Sequence, residues 1–391
     1  MKLDSDICYR AVKSRDPRFD GRFFTGVKTT GIYCRPVCPA VTPRLKNVEF
    51  YSCAAAAEKA GFRPCKRCRP ETSPGTPAWL GTSASVSRAL RYIGEGVLDD
   101  GSVEDLAARL GLGARHLTQL FEDHLGTTPV AVAQTRRVHF ARNLIQETSL
   151  PMARIALAAG FGSVKRFNVL VKQVFGATPT QLRQRAGTVA AGGDTLVYRL
   201  AYRPPHDWDQ VIGFLEGRAI PGVEEVGPGV YRRTIELNGV GGTLEVTPIP
   251  GEDSLLLKVS MPEFDGAIGL VNRVRRMFDC GADPAVIGDH LKVDPLLKPL
   301  VARRPGLRLP SAWDPFEMTV RAILGQQISV AGATTITGRL VERLGTPLAT
   351  PVEGLTHLFP SPAVVAAGDL SGIGLTAKRA ATVKNLAAEL A

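Results

Sequence analysis

The chain has 391 residues, of which 44% are hydrophobic and 22% charged; this is the composition of globular protein, in more length than one ordinary core uses, and points to roughly two to four domains. Lysine and arginine outnumber aspartate and glutamate by 48 to 37, a net charge of +11 that suits an anionic partner such as nucleic acid. No apolar run is long enough to span a membrane and residues 1–6 lack the apolar core of a secretory signal, so a cytoplasmic protein with no membrane partner is expected.

The basic excess is uneven: residues 1–79 carry +8, residues 80–187 carry +5 and residues 188–391 carry −2. Two stretches rich in Pro, Gly and small residues, 70–77 and 186–193, show no periodicity and read as linkers. The piece before the first linker is short and rich in turns, a size at which a structural metal is expected to help a small core. The middle piece is helical, with Leu90, Ile93, Leu106, Leu110, Leu117, Leu120 and Phe121 at helical spacing, and again Ile155, Ala158, Ala159, Phe167, Leu170 and Val174. The last piece opens with strands expected at 196–202, 230–237, 243–249 and 254–260, and helical spacing takes over from about residue 267.

Five of the seven cysteines fall between residues 34 and 68. Cys34-x3-Cys38 and Cys65-x2-Cys68 are two close pairs joined by a 26-residue loop. Short spacing lets one turn present two thiolates to one ion, and two such turns complete a tetrahedral zinc site; in a reducing compartment this is favoured over disulfides. Cys8, Cys53 and Cys280 lack such pairing and read as small apolar residues. Arg35 follows Cys34, and Arg63, Lys66, Arg67 and Arg69 interleave the second pair. Four thiolates on one zinc ion leave a doubly negative, electron-rich centre whose sulfurs stay nucleophilic at neutral pH. Basic side chains around it suit a DNA backbone.

Residues 24–40, centred on Gly31-Ile32-Tyr33-Cys34-Arg35-Pro36-Val37-Cys38-Pro39, and residues 61–70, Gly61-Phe62-Arg63-Pro64-Cys65-Lys66-Arg67-Cys68-Arg69-Pro70, resemble the N-terminal domain of the Ada adaptive-response family, over residues 4–72. The resemblance implies irreversible transfer of a methyl group from a DNA methylphosphotriester to one zinc-bound thiolate, by motif position Cys34. Methylation would make the centre singly negative and weaken its repulsion of phosphates, so the methylated protein is expected to bind DNA more tightly.

Two segments of the middle piece read as helix-turn-helix units. In residues 102–121, Ser102 caps a helix with Asp105 three residues on, Gly111 permits the turn, and Arg115, His116 and Gln119 point outward from the second helix. In residues 151–168, Ser163 caps the second helix and Lys165, Arg166 and Asn168 face out. Each unit ends in a similar tail, Phe121 to Pro129 and Phe175 to Pro179 with Arg183 following, and together they resemble the AraC/XylS-type DNA-binding domain over residues 84–186.

Residues 194–391 resemble the AlkA-type 3-methyladenine DNA glycosylases through residues 309–333, which contain Gly325-Gln326-Gln327-Ile328-Ser329, and through residues 355–362 with 380–383. The resemblance places Gln326, Gln327 and Ser329 at a turn facing the DNA minor groove, with Gln327 where some relatives put an apolar wedge for base flipping. The family's helix-hairpin-helix and catalytic Asp lie further along, and this chain stops at Ala391. Residues 370–377, with Gly372 and Gly374, read either as a hairpin that approaches phosphate or as a loop before a helix, the alignment favouring the loop. No acidic residue follows except Glu389, and base excision needs a carboxylate. The expectation is therefore no base excision by this chain, and apolar surface left exposed on its last helices. No Pro-Cys-His-Arg run of a second, base-directed methyltransferase occurs.

The expected fold is thus multidomain α+β: a four-cysteine zinc domain (1–72), an all-α AraC-type double helix-turn-helix domain (79–186), an AlkA-like α+β subdomain (194–283) and an incomplete all-α glycosylase domain (284–391). The expected function is single-turnover methyl acceptance with one zinc ion, coupled to binding double-stranded DNA and to transcription activation through RNA polymerase. The alternatives are a DNA-binding module with a purely structural zinc, and a base-excision glycosylase with a regulatory head.

Overall fold

A computed structural model describes residues 4–70, 73, 84–186 and 195–391. Apart from Pro70, Ser73 and Ala186, the expected linkers lie outside the described residues, as do residues 79–83 and 194.

The head consists of α1 (Ser5–Ser14), β1 (Phe24–Val27), β2 (Ile32–Cys34), β3 (Val48–Tyr51), α2 (Ala54–Lys59) and β4 (Arg63–Pro64). Its sheet has the order β3-β1-β2-β4, with β4 parallel to β2 and the other pairs antiparallel. A tight turn through Gly31, at φ +63°, joins β1 to β2. Gly26 is required for a different reason: a Cβ there would lie 2.8 Å from the Tyr51 ring and 3.0 Å from that of Phe62. The apolar clusters are small, Cys8, Ala11, Val12 and Phe23 in one and Phe24, Tyr33 and Ala57 in another. Burial pushes the Cys8 thiol up to about 11, as suits a packing residue.

The middle piece is all helix: α3 (Ala84–Gly94), α4 (Val97–Asp100), α5 (Val103–Ala108), α6 (Ala114–Leu125), α7 (Pro129–Glu147), α8 (Met152–Ala158), α9 (Val164–Phe175) and α10 (Pro179–Ala186). Ser102 and Asp105 form a reciprocal capping box at α5, and the Ser163 hydroxyl accepts the Arg166 N–H at 3.2 Å at α9. Gly111 (φ +70°) and Gly160 (φ +75°) make the two turns. The 19-residue α7 lies between the two units.

The last piece begins β5 (Thr195–Ala201), α11 (Trp208–Glu216), β6 (Glu224–Gly227), β7 (Val230–Leu237), β8 (Val240–Pro248) and β9 (Ser254–Ser260). These strands form an antiparallel sheet of order β5-β9-β8-β7-β6. Then follow α12 (Ala267–Met277), α13 (Pro284–Leu291), α14 (Lys298–Arg303), α15 (Pro315–Leu324), α16 (Val330–Leu344), β10 (Thr346–Val352), β11 (Leu355–Leu358), α17 (Pro362–Ala367) and α18 (Ala377–Leu390). One apolar cluster runs from Val138 on α7 through the second helix-turn-helix unit and the sheet to Trp313, so the middle and last pieces share a core.

Two features depart from the expected order. Helix α11 interrupts the strands, burying Trp208, Val211, Ile212 and Leu215 behind the Asp207 cap. The hairpin β10–β11 interrupts the helices, because Pro347 and Pro351 exclude a helix interior and Gly354, at φ +77°, makes the turn. Residues 370–376 are a loop before α18, which begins at Ala377. On the last helices Val364 and Leu390 are exposed, and more apolar side chains, among them Val293, Leu296, Leu300 and Leu309, are exposed earlier, around α14.

Candidate metal centre and nucleic-acid interface

The strands bring the two cysteine pairs together through main-chain bonds. Tyr33, opposite Pro64 in the β2–β4 register, accepts the Cys65 N–H at 3.0 Å, and the Cys38 N–H closes a turn on the Arg35 carbonyl at 3.1 Å. The Sγ atoms of Cys34, Cys38, Cys65 and Cys68 all lie within 4.8 Å of one another. A tetrahedral ion with metal–sulfur bonds of about 2.3 Å needs sulfurs about 3.8 Å apart, so the donor set fits zinc in both chemistry and size. As four bare sulfurs they share protons unevenly: hydrogen bonding with Cys34 draws Cys38 down to about 7, while hydrogen bonding with Cys38 pushes Cys34 up. A divalent cation displaces such protons.

The four sulfurs are not equivalent. Cys65 and Cys68 are buried and Cys34 and Cys38 partly exposed. Main-chain N–H groups donate to Cys68 (from Arg35, 3.3 Å) and to Cys65 (from Arg67, 3.4 Å). Among the described residues no main-chain N–H bond falls on the sulfur of Cys34 or of Cys38. A hydrogen bond to sulfur draws off electron density, so the two partly exposed sulfurs, Cys34 and Cys38, are the electron-rich pair of the four.

Of the basic residues around the site, Arg63, Lys66 and Arg67 are exposed. Arg35 is turned inward: its Nε donates to Asp20 at 2.9 and 3.1 Å, its Nη2 contacts the same carboxylate, and its Nη1 donates to the Cys68 carbonyl at 3.2 Å. Asp20 is buried and carries no sequence signal for this role.

Arg115, His116 and Gln119 are exposed on α6, and Lys165, Arg166 and Asn168 on α9, with Ser163 exposed at the α9 cap. Arg63 of the head reaches the end of α9, where a Cβ on Gly176 would lie 3.4 Å from its Nη1. Gln326, Gln327 and Ser329 are exposed between α15 and α16, where the Ser329 hydroxyl caps α16 by accepting the Gly332 N–H at 3.1 Å. Gln327 is held at φ +59°, a strained backbone for a side chain of this kind and one that clusters at functional turns. Among the described residues no helix is long and apolar enough to cross a membrane.

Three family models match the chain: the metal binding domain of Ada over residues 7–71, a helix-turn-helix domain over 106–185 and the AlkA N-terminal domain over 197–314. The probable bifunctional transcriptional activator/DNA repair enzyme AlkA of Mycobacterium tuberculosis is 42% identical over 395 residues, covering 100% of this chain and 79% of that protein. The bifunctional transcriptional activator/DNA repair enzyme AdaA of Bacillus subtilis is 31% identical over 183 residues, covering 47% of this chain and 84% of that protein. DNA-3-methyladenine glycosylase 2 of Escherichia coli is 35% identical over 194 residues, covering 49% of this chain and 66% of that protein.

Proposed function

The chain belongs to the family of bifunctional transcriptional activator/DNA repair enzymes, and from that premise we propose that it repairs DNA methylphosphotriesters by taking the methyl group irreversibly onto Cys34. The carrying observation is the asymmetry of the four-sulfur site: Cys65 and Cys68 are buried and accept main-chain N–H groups, whereas Cys34 and Cys38 are partly exposed and accept none among the described residues, and of these two the motif position selects Cys34.

Cys34, Cys38, Cys65 and Cys68 hold one zinc ion, which when bound keeps the sulfurs deprotonated at neutral pH. Arg63, Lys66 and Arg67, exposed around the site, grip the phosphates flanking the lesion, whose own phosphate is neutral. Cys34 Sγ attacks the methyl carbon in line with the phosphate oxygen. The S–C bond forms, the C–O bond breaks, and its electron pair leaves on oxygen to regenerate the phosphodiester anion. The resulting thioether is a poor leaving group, so each chain turns over once. The loss of one negative charge relieves repulsion of DNA. Arg115, His116 and Gln119, with Ser163, Lys165, Arg166 and Asn168, then read promoter DNA, and activation proceeds through RNA polymerase. The test is methyl uptake from a methylphosphotriester oligonucleotide by the zinc-loaded chain and its Cys34→Ser variant; uptake by the wild type and none by the variant supports the assignment, and equal uptake refutes it.

A second reading, base excision by the AlkA-like part, is favoured by the exposed turn with Gln327 at positive φ, which suits Gln326, Gln327 and Ser329 for the minor groove. Its readout is free 3-methyladenine from alkylated DNA.

A further inference from the structure

Thr135, His139, Asn143 and Glu147 follow one another at four-residue intervals on α7 and so share one face of that helix. All four meet the head. Thr135 Oγ1 donates to Glu58 Oε2 at 2.7 Å, and His139 Nε2 lies 3.0 Å from Glu58 Oε1 and 3.1 Å from Tyr33 Oη. Arg69 Nη2 donates to Asn143 Oδ1 at 3.3 Å and to Glu147 Oε1 at 3.2 Å. On the head side the contacts end on Tyr33, which precedes Cys34 and is fully buried, and on Arg69, which follows Cys68 and sits at φ +49°. Tyr33 Oη donates to Glu58 Oε1 at 2.8 Å while its carbonyl holds the Cys65 N–H. Each cysteine pair is therefore anchored, one residue away, to the helix that joins the two DNA-reading units. Asn143 Nδ2 extends the stripe to Tyr198 Oη on β5 at 3.0 Å.

Adhesion alone does not call for this chemistry. An apolar stripe would hold the domains together without the cost of burying Glu58, His139 and Asn143, whereas a satisfied polar network fixes one register and orientation. We propose that His139 and Asn143, though they belong to the helix-turn-helix domain, are positioning residues of the methyl-acceptor site, and that α7 carries a change at Cys34 to the presentation of α6 and α9. This rests on Cys34 being the methyl acceptor.

The test uses the full zinc-loaded chain and three variants. Tyr33→Phe removes one hydroxyl and keeps the ring against Phe24; His139→Ala removes the link from α7; His139→Gln retains an N–H within reach of Glu58. For the first two, zinc release to a chelator is expected to quicken and methyl transfer to slow, each about tenfold, in the range seen when a metal ligand loses its supporting hydrogen bonds. The ratio of DNA affinities between methylated and unmethylated protein should fall below that of the wild type, leaving the part due to the lost charge, with His139→Gln restoring most of the difference. A merely structural stripe would leave that ratio unchanged. Methyl uptake by the wild type, with zinc release, rate and affinity ratio unaltered in Tyr33→Phe and His139→Ala, overturns the inference. Absence of uptake by the wild type refutes instead the assignment of Cys34 on which it rests, and zinc release then tests the positioning role alone.

Discussion

Replacing Asp20 by alanine tests whether the metal centre is supported from outside its ligands. The Arg35 side chain is 17% exposed and that of Asp20 6%, so their ion pair is largely out of water. Two guanidinium nitrogens contact the carboxylate, and a third bond, Nη1 to the Cys68 carbonyl at 3.2 Å, survives the substitution. Hydrogen bonds to charged groups contribute roughly 1.5–3 kcal/mol each; with a discount for residual exposure and for the surviving bond, the loss is about 2 kcal/mol. The clamp joins the Cys34–Cys38 turn to the Cys65–Cys68 turn and so is complete only when the site is assembled. The loss should therefore fall on metal binding, as a zinc affinity about 30-fold weaker. Competition with a chromophoric zinc chelator measures this directly, and Asp20→Asn, which keeps one acceptor, should fall between. A change below about threefold in Asp20→Ala would refute the reasoning and leave the pair without a part in metal binding.

Glu317 on α15 is buried beside Arg233 of β7, with Nη2 to Oε2 at 2.6 Å. Glu317→Leu leaves that guanidinium with the Thr234 carbonyl at 3.0 Å and, for a carboxylate, Glu224 at 3.7 Å, and should destabilise the last piece by roughly 3 kcal/mol, read from its urea midpoint. Lys165→Ala and Arg166→Ala should each weaken binding of any DNA sequence and lower the slope of log affinity against log salt by about one; an unchanged slope removes that residue from the phosphate contacts. Burial lowers His206 to about 4, and its Nε2 faces the Phe278 carbonyl at 3.1 Å. Its folded value lies below the unfolded one, so the unfolded chain takes up the proton first: stability is full above about pH 6.5 and falls by up to ~3 kcal/mol as pH drops toward 4. Denaturation followed by Trp208 fluorescence, whose ring centroid is 6.1 Å from that of His206, should show this fall in the wild type and a flatter curve in His206→Phe.

What the sequence made legible was local. Four cysteines in two short-spaced pairs announce a metal because one turn can present two ligands, and the Ser102–Asp105 box and the Ser163 cap mark helix starts because their partners lie three residues away. What it hid depends on distance along the chain. Glu58 meets His139 across 81 residues, and Arg22 meets Asp283 across 261. Asp20 looks like any loop carboxylate until the fold sets it against Arg35. The four-residue spacing from Thr135 to Glu147 was visible, but a polar stripe on an isolated helix reads as a solvated face; only packing against the head makes it an interface. Arg35, expected to meet DNA, is held by Asp20 because a charge beside a buried carboxylate turns inward.

The most direct test of the central claim is intact mass with peptide mapping, after zinc-loaded protein is incubated with DNA carrying methylphosphotriesters. One added methyl on the peptide containing Cys34, with Cys38, Cys65 and Cys68 unmodified, is the predicted result. Unchanged mass in protein that holds zinc and binds the DNA would contradict the account and leave the head a structural zinc module on a DNA-binding regulator.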